Sequence, residues 1–398
     1  MLSYPGRSLT DMATSPPLRP DLAPTPAPVD EVAADATGRW ASTMRATPGP
    51  AGVALAHPQA GPSVTTTVLS RPEREAIEAA SLAPGATRAQ GAGLRARAEA
   101  PDPIRTCFER DRDRILHASA FRRLAGKTQV FVFPADHQRT RLTHALEVAQ
   151  VAVAIARSLR LNVALAEAIA LGHDCGHGPG GHASEAAFGP YVGGYDHAVW
   201  GADVVMAPLN LCAETLDGIR NHSWSRPAPA TPEGEVVAWA DRIAYVCHDF
   251  EDAVSAGVVR ADDLPAEVRE RCGPRRSQQI AAFVQGVVEG TTLAGQVAMT
   301  TPLSDALAAF RAFDYDRIYL RPDSVRQADQ VVRLLRALVE RLATDPASSG
   351  LGHDPTGDPV RAAVTRVAGM TDRFACQQAV YLLDWPLHDL PRGVDLPR

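Results

Sequence analysis

The stretch LGHDCGHGPGGHASE, residues 171–185, combines three histidines, an aspartate, a glutamate and five glycines directly after an apolar run. Imidazole nitrogens and carboxylate oxygens suit Mn²⁺, Fe²⁺, Zn²⁺ or Mg²⁺. Glycines let the backbone approach a ligand closely and adopt conformations that other residues avoid. His173 and Asp174 end the apolar run, where both side chains can reach one ion beyond the end of a helix. The stretch therefore indicates a site for metal or proton chemistry.

Apolar periodicity on both sides of this stretch predicts a helical protein. Apolar residues recur at three- and four-residue steps in RLTHALEVAQVAVAIARSLR (141–160), and VALAEAIALGHD (163–174) is apolar enough to be a buried helix. Further helices are predicted at 72–84, 108 to about 126, 234–254, 276–290, 302–312, 322–344 and 358–383. A short strand is predicted at TQVFVFP (128–134), and 345–359 is predicted to be a loop. The predicted class is all-α.

Composition narrows the class of protein. The 398 residues are 45% hydrophobic and 22% charged, which is typical of a globular chain. A net charge of −6 argues against a generally basic nucleic-acid-binding surface. The six cysteines contain no CxxC pair, which favours a reducing compartment over a disulfide framework. No signal peptide and no membrane-spanning stretch is evident, so the predicted location is cytoplasmic.

The N-terminal part differs from the rest of the chain. Residues 1–70 contain 11 of the 32 prolines and much alanine, which predicts a flexible, disordered extension. The remaining residues, 71–398, are predicted to form the folded part. Within it we expect a metal core at about 140–255 and a helical C-terminal part at about 275–398.

The predicted helix at 234–254 has an unusual polar face. At 100° per residue, five side chains lie within about 120° of one another, namely Asp241, Arg242, Tyr245, His248 and Asp249. Many polar helix faces are simply exposed to solvent. This face, however, offers metal ligands and acid–base groups in place of the usual mixture of lysine and glutamate. Both interpretations remain open from this helix alone.

A third predicted helix contributes His144, in RTRLTHALEV. A single histidine on a helix is typically a buried residue with one hydrogen bond, and isolated His-Asp pairs are common. Taken together, however, His144, the pair His173-Asp174 and Asp241 form an ordered set across three helices. This set favours one shared divalent metal ion.

The ordered set and its surroundings resemble the HD-domain metal-dependent phosphohydrolases, and within them the deoxyguanosine-triphosphate triphosphohydrolase-like branch. The matching stretches, in the family's order, are DRDRILHASAFRRLAGKTQVF (111–131), RTRLTHALEVAQ (139–150), HDCGHGPGGHASE (173–185), TLDGIRNHSW (215–224), EGEVVAWADRIAYVCHD (233–249) and VAGMTDRFA (367–375). The resemblance implies an HD-type helical fold with additional C-terminal helices. It also implies hydrolysis of deoxynucleoside triphosphates, dGTP or dNTPs generally, at the α-phosphorus to give deoxynucleoside and tripolyphosphate.

The resemblance also implies roles for individual residues. The divalent metal, with Mn²⁺ or Mg²⁺ preferred over Fe²⁺, Co²⁺ or Zn²⁺, would be held by His144, His173, Asp174 and Asp241. His182, supported by Glu185, would be the catalytic pair near the leaving 5′ oxygen, where a histidine can supply a proton near neutral pH. His177 would contact the α-phosphate, and His197 matches a further active-site histidine.

Phosphate and sugar contacts complete the implied site. Arg141 and Arg242 would pair with the β- and γ-phosphates, for which Lys127 and Arg139 are further candidates. Tyr245 would pack under the sugar and disfavour a 2′-hydroxyl. The 3′-hydroxyl would be bound by Asp249 and Gln129. In FDYDRIYLRPD (313–323), a looser match, the candidates are Tyr315 and Arg317.

Two other functions fit the same residues. An HD-type phosphodiesterase or 5′-nucleotidase would release different products, and a non-catalytic nucleotide or single-stranded nucleic-acid binding regulator would not turn over substrate. The presence of both His182 and Glu185 favours an enzyme. The chain lacks the HxE and PCxxC pairing of a deaminase zinc site. Expected partners are a dNTP substrate, a nucleotide activator and further copies of the chain; nucleic acid is secondary, and no membrane is expected.

Overall fold

The computed structural model describes residues 36–38, 40–41, 46–57, 61–135, 137–345 and 357–392. The chain divides into a small unit, Met1–Val68, and a large one, Leu69–Arg398. In the small unit, strands β1 (Thr47–Pro48) and β2 (Ala54–Leu55) pair antiparallel across a 3-10 turn at Pro50–Gly52. The predicted flexibility of residues 1–70 concerns many residues outside the described ranges, residues 1–35 among them, and stays a prediction.

The large unit is helical. Its described α-helices are α1 (Arg71–Ser81), α2 (Cys107–His117), α3 (Ser119–Arg123), α4 (Arg141–Ser158), α5 (Val163–Gly172), α6 (Ala183–Val192), α7 (His197–Trp200), α8 (Ala213–Asn221), α9 (Pro232–Ser255), α10 (Ala266–Cys272), α11 (Arg276–Ala294), α12 (Thr301–Asp314), α13 (Pro322–Thr344), α14 (Pro359–Ala368) and α15 (Asp372–Leu383). Short 3-10 segments lie at Leu124–Gly126, Ala207–Leu209, Ala261–Asp263 and Leu387–Asp389, and π-helical turns lie at Gly201–Val205 and Tyr315–Tyr319. The described residues of this unit pair as strands only in isolated bridges, which confirms the all-α class.

Three predicted elements differ from the structure. The helix predicted to run from 108 to about 126 is interrupted at Ala118, whose backbone is extended. The strand predicted at 128–134 does not form: only Thr128 makes a bridge, to Thr140, because no neighbouring strand is available to pair with it. The helix predicted at 358–383 is two helices, because Thr371 caps the start of α15 by accepting a hydrogen bond from the amide of Phe374. In the loop predicted at 345–359, residues 346–356 lie outside the described ranges.

The core forms where the most apolar helix is enclosed by its neighbours. Helix α5 packs against α2, α4 and α9, and residues such as Leu165 and Ile169 are fully buried there. This enclosure explains why α5 is apolar on all sides. Each such side chain stabilises the fold by about 1.5–3 kcal/mol relative to its exposed state. Because α4, α5 and α9 also carry the histidines and aspartates of the predicted site, core packing brings these residues together.

A second cluster joins the C-terminal helices to the segment that follows the glycine-rich loop. Leu334, Leu335 and Leu338 of α13 are buried together with Val364 of α14 and Phe188 of α6. Helix α6 begins immediately after His182. The C-terminal part therefore supports one end of the predicted active-site loop.

Gly176 lies where this loop comes closest to another backbone. A Cβ at this position would overlap the carbonyl oxygen of His197 and lie 2.5 Å from the amide nitrogen of Gly201. Because backbone atoms cannot rotate away as a side chain can, we expect Gly176→Ala to lower the free energy of unfolding by about 1–3 kcal/mol. Denaturant titration measures this change.

Gly189→Ala is the matched control for this prediction. Gly189 lies in α6, and its Cβ would meet nothing nearer than the amide nitrogen of Tyr195 at 3.8 Å. Because alanine favours a helix over glycine by about 1 kcal/mol, this variant should be as stable as the parent or more so. Equal stability of the Gly176→Ala variant and the parent would contradict the close approach.

Candidate metal centre and active site

The four predicted metal ligands converge at one point between α4, α5 and α9. The Nε2 atom of His144 lies 3.1 Å from Oδ1 of Asp241. The Nε2 atom of His173 lies 3.6 Å from the same oxygen and 3.5 Å from Oδ1 of Asp174. Two ligands bound to a common ion at about 2.1 Å stand roughly 3–3.5 Å apart, so this spacing suits a shared cation.

The hydrogen bonding of His173 leaves one nitrogen available for a metal. Its Nδ1 atom donates to the carbonyl oxygen of Ala170 at 2.6 Å, which fixes the tautomer and places the lone pair on Nε2. That Nε2 atom is buried and has no hydrogen-bond partner among the described residues. An unpartnered buried nitrogen directed at two carboxylates is well suited to a divalent cation.

Electrostatics keep the two carboxylates of the centre ionised. Burial opposes ionisation of Asp174, but Arg141 and His173 outweigh it and hold its pKa well below the usual range. Burial likewise opposes ionisation of Asp241, but the nearby imidazoles of His144 and His173 outweigh it and hold its pKa well below the usual range. The centre thus presents two negative charges and two imidazoles, which is a donor set for Mn²⁺, Mg²⁺ or a related divalent ion.

The predicted pair of His182 and Glu185 is part of a larger arrangement. Oε1 of Glu185 lies 3.8 Å from Nδ1 of His182 but only 2.5 Å from Nδ1 of His197. Burial opposes ionisation of Glu185, but its interactions with His182 and His197 outweigh it and lower its pKa. Glu185 therefore orients His197 directly, while the side chain of His182 is 73% exposed.

The other predicted histidine of the loop, His177, lies between the metal centre and His197. Its ring stacks on that of His197 with centroids 3.8 Å apart, and its Nε2 atom is 3.3 Å from Oδ1 of Asp174. Burial, reinforced by the nearby Arg141, holds the pKa of His177 well below its ordinary value. A neutral imidazole at this position can donate or accept a hydrogen bond without adding charge.

A single cavity of about 540 Å³ adjoins these groups. Pockets of this size accommodate small organic ligands. Its walls include three of the predicted metal ligands, the loop histidines and several of the predicted substrate contacts. The ligands are His144, Asp174 and Asp241, and the substrate contacts include Gln129, Arg141, Arg242, Tyr245 and Asp249. The metal centre and the predicted nucleotide contacts therefore share one cavity.

Comparison with known proteins identifies the family. The HD domain matches residues 141–246, and the phosphohydrolase-associated domain matches residues 297–380. A deoxyguanosinetriphosphate triphosphohydrolase-like protein of Caldanaerobacter subterraneus subsp. tengcongensis is 39% identical over 318 residues, covering 76% of this chain and 92% of that protein. The chain belongs to the deoxyguanosinetriphosphate triphosphohydrolase-like family.

Two further members of this family show similar coverage. Deoxyguanosinetriphosphate triphosphohydrolase-like protein 1 of Deinococcus radiodurans is 36% identical over 370 residues, covering 78% of this chain and 98% of that protein. The relative in Desulfatibacillum aliphaticivorans is 38% identical over 310 residues, covering 71% and 88%. The chain is thus an HD-domain hydrolase with a His/Asp cluster that could hold a divalent metal. None of its described helices has the length and apolarity needed to cross a membrane.

The residues that match the HD domain contain a sixth histidine, His222, to which the sequence analysis gave no role. His222 donates from Nδ1 to the carbonyl oxygen of Ile219 at 2.8 Å, and its Nε2 atom is 3.2 Å from Nε2 of His197. Burial, with His173 and His197 nearby, lowers the pKa of His222 to about 3. His222 lies in TLDGIRNHSW, a stretch already matched to the family, and this position could have suggested a role in the site.

The substrate wall of the cavity contains contacts that the sequence missed. The hydroxyl of Tyr245 accepts a hydrogen bond from Nε of Arg311 at 2.8 Å. Tyr319 donates to Oδ2 of Asp249 at 2.5 Å, and burial raises the pKa of Asp249 to about 8. Tyr319 ends a π-helical turn, which a 3.6-residue periodicity does not reveal.

The two wall residues predicted in FDYDRIYLRPD have different positions. Tyr315 lines the cavity. Arg317 lies over the ring of Phe313 instead and is not among the cavity residues. On the opposite wall, Arg242 stacks on the ring of Trp224, with 3.4 Å between its guanidinium carbon and the ring centroid.

Three other side chains predicted to contact phosphates, those of Arg141, Arg139 and Lys127, form ion pairs or hydrogen bonds within the protein. Arg141 lines the cavity, but its Nη1 atom is 2.5 Å from Oδ2 of Asp174, so it also holds a metal ligand in place. Arg139 bonds to Glu147, Glu251 and Asp252 and does not line the cavity, so its prediction as a phosphate contact is wrong. Lys127 is buried and donates to the carbonyl oxygens of His177 and Ala368. It too is outside the cavity, and burial lowers its pKa to about 8.

His248 is a further correction to the predicted polar face of α9. It is buried, and its Nδ1 atom lies 3.2 Å from Oε2 of Glu147. It does not line the cavity. The other four residues of the face, Asp241, Arg242, Tyr245 and Asp249, do line it.

Proposed function

We propose that this chain is a metal-dependent dNTP triphosphohydrolase that converts dGTP, or dNTPs generally, to deoxynucleoside and tripolyphosphate. The observation that carries the proposal is the shared cavity. It combines the metal donors, the loop histidines and a wall of aromatic and basic side chains. The names of the relatives, which describe them as triphosphohydrolase-like, support the same substrate class.

In this proposal the metal centre faces the α-phosphate. His144, His173, Asp174 and Asp241 would hold a divalent ion, preferably Mn²⁺ or Mg²⁺, which would supply positive charge to a phosphoryl oxygen. Arg141, which already contacts Asp174, keeps that carboxylate ionised and adds positive charge beside the phosphates.

The loop histidines handle the proton of the reaction. Water adds to the α-phosphorus as the bond from that phosphorus to the 5′ oxygen breaks. The water gives up a proton to leave tripolyphosphate, and the leaving alkoxide needs a proton to become the 5′-hydroxyl of the deoxynucleoside. His182 is exposed to the cavity and can supply it, while Glu185 holds the imidazoles of the loop in orientation. Such proton transfer typically contributes about 10²- to 10⁴-fold to the rate.

Product analysis tests this function. Purified protein with Mn²⁺ and each of the four dNTPs should yield tripolyphosphate and deoxynucleoside, resolved by ion-exchange chromatography. Orthophosphate from nucleoside monophosphates, with no tripolyphosphate from any dNTP, would favour the HD-type phosphodiesterase or 5′-nucleotidase alternative. Binding without turnover, for single dNTPs and for mixtures that contain an activator, would favour a regulatory binding protein.

Tyr245 is expected to set the preference for a deoxyribose. Its ring lines the cavity, and its hydroxyl is held by Arg311. If the ring excludes a 2′-hydroxyl by contact, Tyr245→Ala should reduce the dGTP-over-GTP ratio of kcat/KM by about 10-fold or more. Tyr245→Phe keeps the ring and is the matched control, which should retain the ratio. An unchanged ratio in the alanine variant would make Tyr245 a packing residue.

The remaining parts of the proposal concern location and assembly. We propose a cytoplasmic homo-oligomer whose activity responds to a nucleotide activator. Light scattering coupled to size-exclusion chromatography, with and without dNTPs, measures the assembly. A monomer under both conditions would contradict it.

A further inference from the structure

A second cavity, of about 470 Å³, lies outside the active site. We call it the rear cavity and define it by its lining residues: Arg123, Thr365, Arg366, Gly369, Met370, Thr371 and Phe374. It shares no lining residue with the active-site cavity. Its wall is formed by the last residue of α3, the end of α14, the turn after α14 and the beginning of α15.

The charge of the rear cavity is positive and uncompensated. Both Arg123 and Arg366 line it, and among the described residues no carboxylate oxygen lies within ion-pair distance of either guanidinium. Most other arginines near the core are paired, as Arg139 and Arg141 are. The Nε atom of Arg123 is also buried without a described hydrogen-bond partner. Burial, together with repulsion from Arg122 and Arg366, lowers the pKa of Arg123.

Neutral groups in the cavity suit the same kind of ligand. The hydroxyl of Thr371 accepts from the amide of Phe374, so its own proton can be donated to an anion. Two guanidinium groups and a hydroxyl on one concave surface match the oxygens of a phosphate group. The ring of Phe374 is 37% exposed and offers a face on which a base could stack.

We propose that the rear cavity binds a phosphate-bearing anion, held chiefly by Arg123 and Arg366. The sources with this chemistry are inorganic phosphate, tripolyphosphate and a nucleotide. This site is independent of the proposed activity, because none of its lining residues belongs to the metal centre or to the proton-handling histidines.

Hydrogen bonds join the wall of the rear cavity to the active-site loop. Asp372, next to Thr371, accepts from the amide of Gly180 at 2.9 Å and from the amide of Thr128 at 2.9 Å. Lys127 bridges the carbonyl oxygens of Ala368 and His177. An anion that orders residues 368–372 would therefore also restrain His177 and Gly180, and the rear cavity is suited to regulate the active site.

Hydrogen exchange of the metal-loaded full-length protein tests the proposal locally. Millimolar inorganic phosphate, tripolyphosphate or a dGTP analogue that resists cleavage at the α-phosphorus is added, and exchange of the amides of residues 369–374 is followed by mass spectrometry. We expect slower exchange with at least one anion. In Arg366→Gln, the anion concentration that gives half of the protection should rise by about tenfold. Arg333→Gln, an exposed arginine on α13 outside both cavities, is the matched control and should behave like the parent.

The outcomes separate the sources and the alternatives. If the nucleotide protects these amides at the lowest concentration, its base binds to Phe374. If tripolyphosphate or phosphate protects them at an equal or lower concentration, the site binds the free anion. No protection by any of the three anions would overturn the proposal. Protection that is unchanged in Arg366→Gln and in Arg123→Gln would also overturn it, because the signal would then come from the active site. Hydrogen exchange in the parent and in the variants does not depend on turnover. Absence of anion binding at the rear cavity can therefore be distinguished from absence of the proposed hydrolase activity.

Discussion

Asp241→Ala is expected to remove both the bound divalent metal and the hydrolase activity. Oδ1 of Asp241 lies 3.1 Å from Nε2 of His144 and 3.6 Å from Nε2 of His173, so its loss removes a carboxylate that lies beside both imidazoles. Metal affinity should fall by more than the roughly 10- to 100-fold that is lost when a residue supporting a ligand is replaced. Metal content by elemental mass spectrometry and dNTP turnover measure the two effects.

Asp203→Ala is the control for this variant. Asp203 is a partly exposed carboxylate that pairs with Arg220 and does not line the cavity. It should leave metal content and turnover at the parental level. Circular dichroism should show that both variants are folded. Full metal content in Asp241→Ala would contradict the assignment of this aspartate as a ligand.

His182→Ala is expected to reduce turnover by about 10²- to 10⁴-fold while the metal remains bound. His182 is the most exposed of the loop histidines and is not among the four ligands, so its removal should affect neither the fold nor the metal. Single-turnover kinetics and metal content, measured on the same preparation, test the two parts together. Loss of metal would show that His182 is a ligand rather than a proton donor.

Glu185→Gln is compared with His182→Ala to test which histidine supplies the proton. Oε1 of Glu185 bonds to His197 at 2.5 Å and lies 3.8 Å from His182, so the substitution should weaken the orientation of both rings. We expect a loss of turnover smaller than that of His182→Ala, with the metal retained. If His182→Ala turns over normally and Glu185→Gln does not, the proton comes from the pair His197 and His222 instead.

The C-terminal helices have a direct role in the active site. Asp372 holds the amide of Gly180, and the positive φ of 72° at that glycine is part of the turn that presents His182. The associated-domain match thus includes the residue that anchors the loop, as well as Arg311 of the substrate wall. The residues that match the HD domain therefore include the four predicted metal ligands but not all the residues that line the cavity.

The sequence by itself determined the helical class and predicted which residues form the His/Asp cluster. Apolar periodicity and donor chemistry are local properties, and the order of His144, His173-Asp174 and Asp241 along the chain was sufficient to predict that they lie together. It also predicted that Arg242, Tyr245 and Asp249 lie beside this cluster, because one helix places them on the face that carries Asp241.

Only the tertiary structure decided which groups meet across elements. It gave Glu185 its close partner His197, brought His222 into the site and removed Arg139 from it. These contacts depend on the angles at which α4, α6, α7 and α9 pack, and spacing along the chain does not contain those angles. For the same reason the sequence did not predict the rear cavity: Arg123 at the end of α3 and Arg366 in α14 are far apart in sequence and come together only in the folded chain.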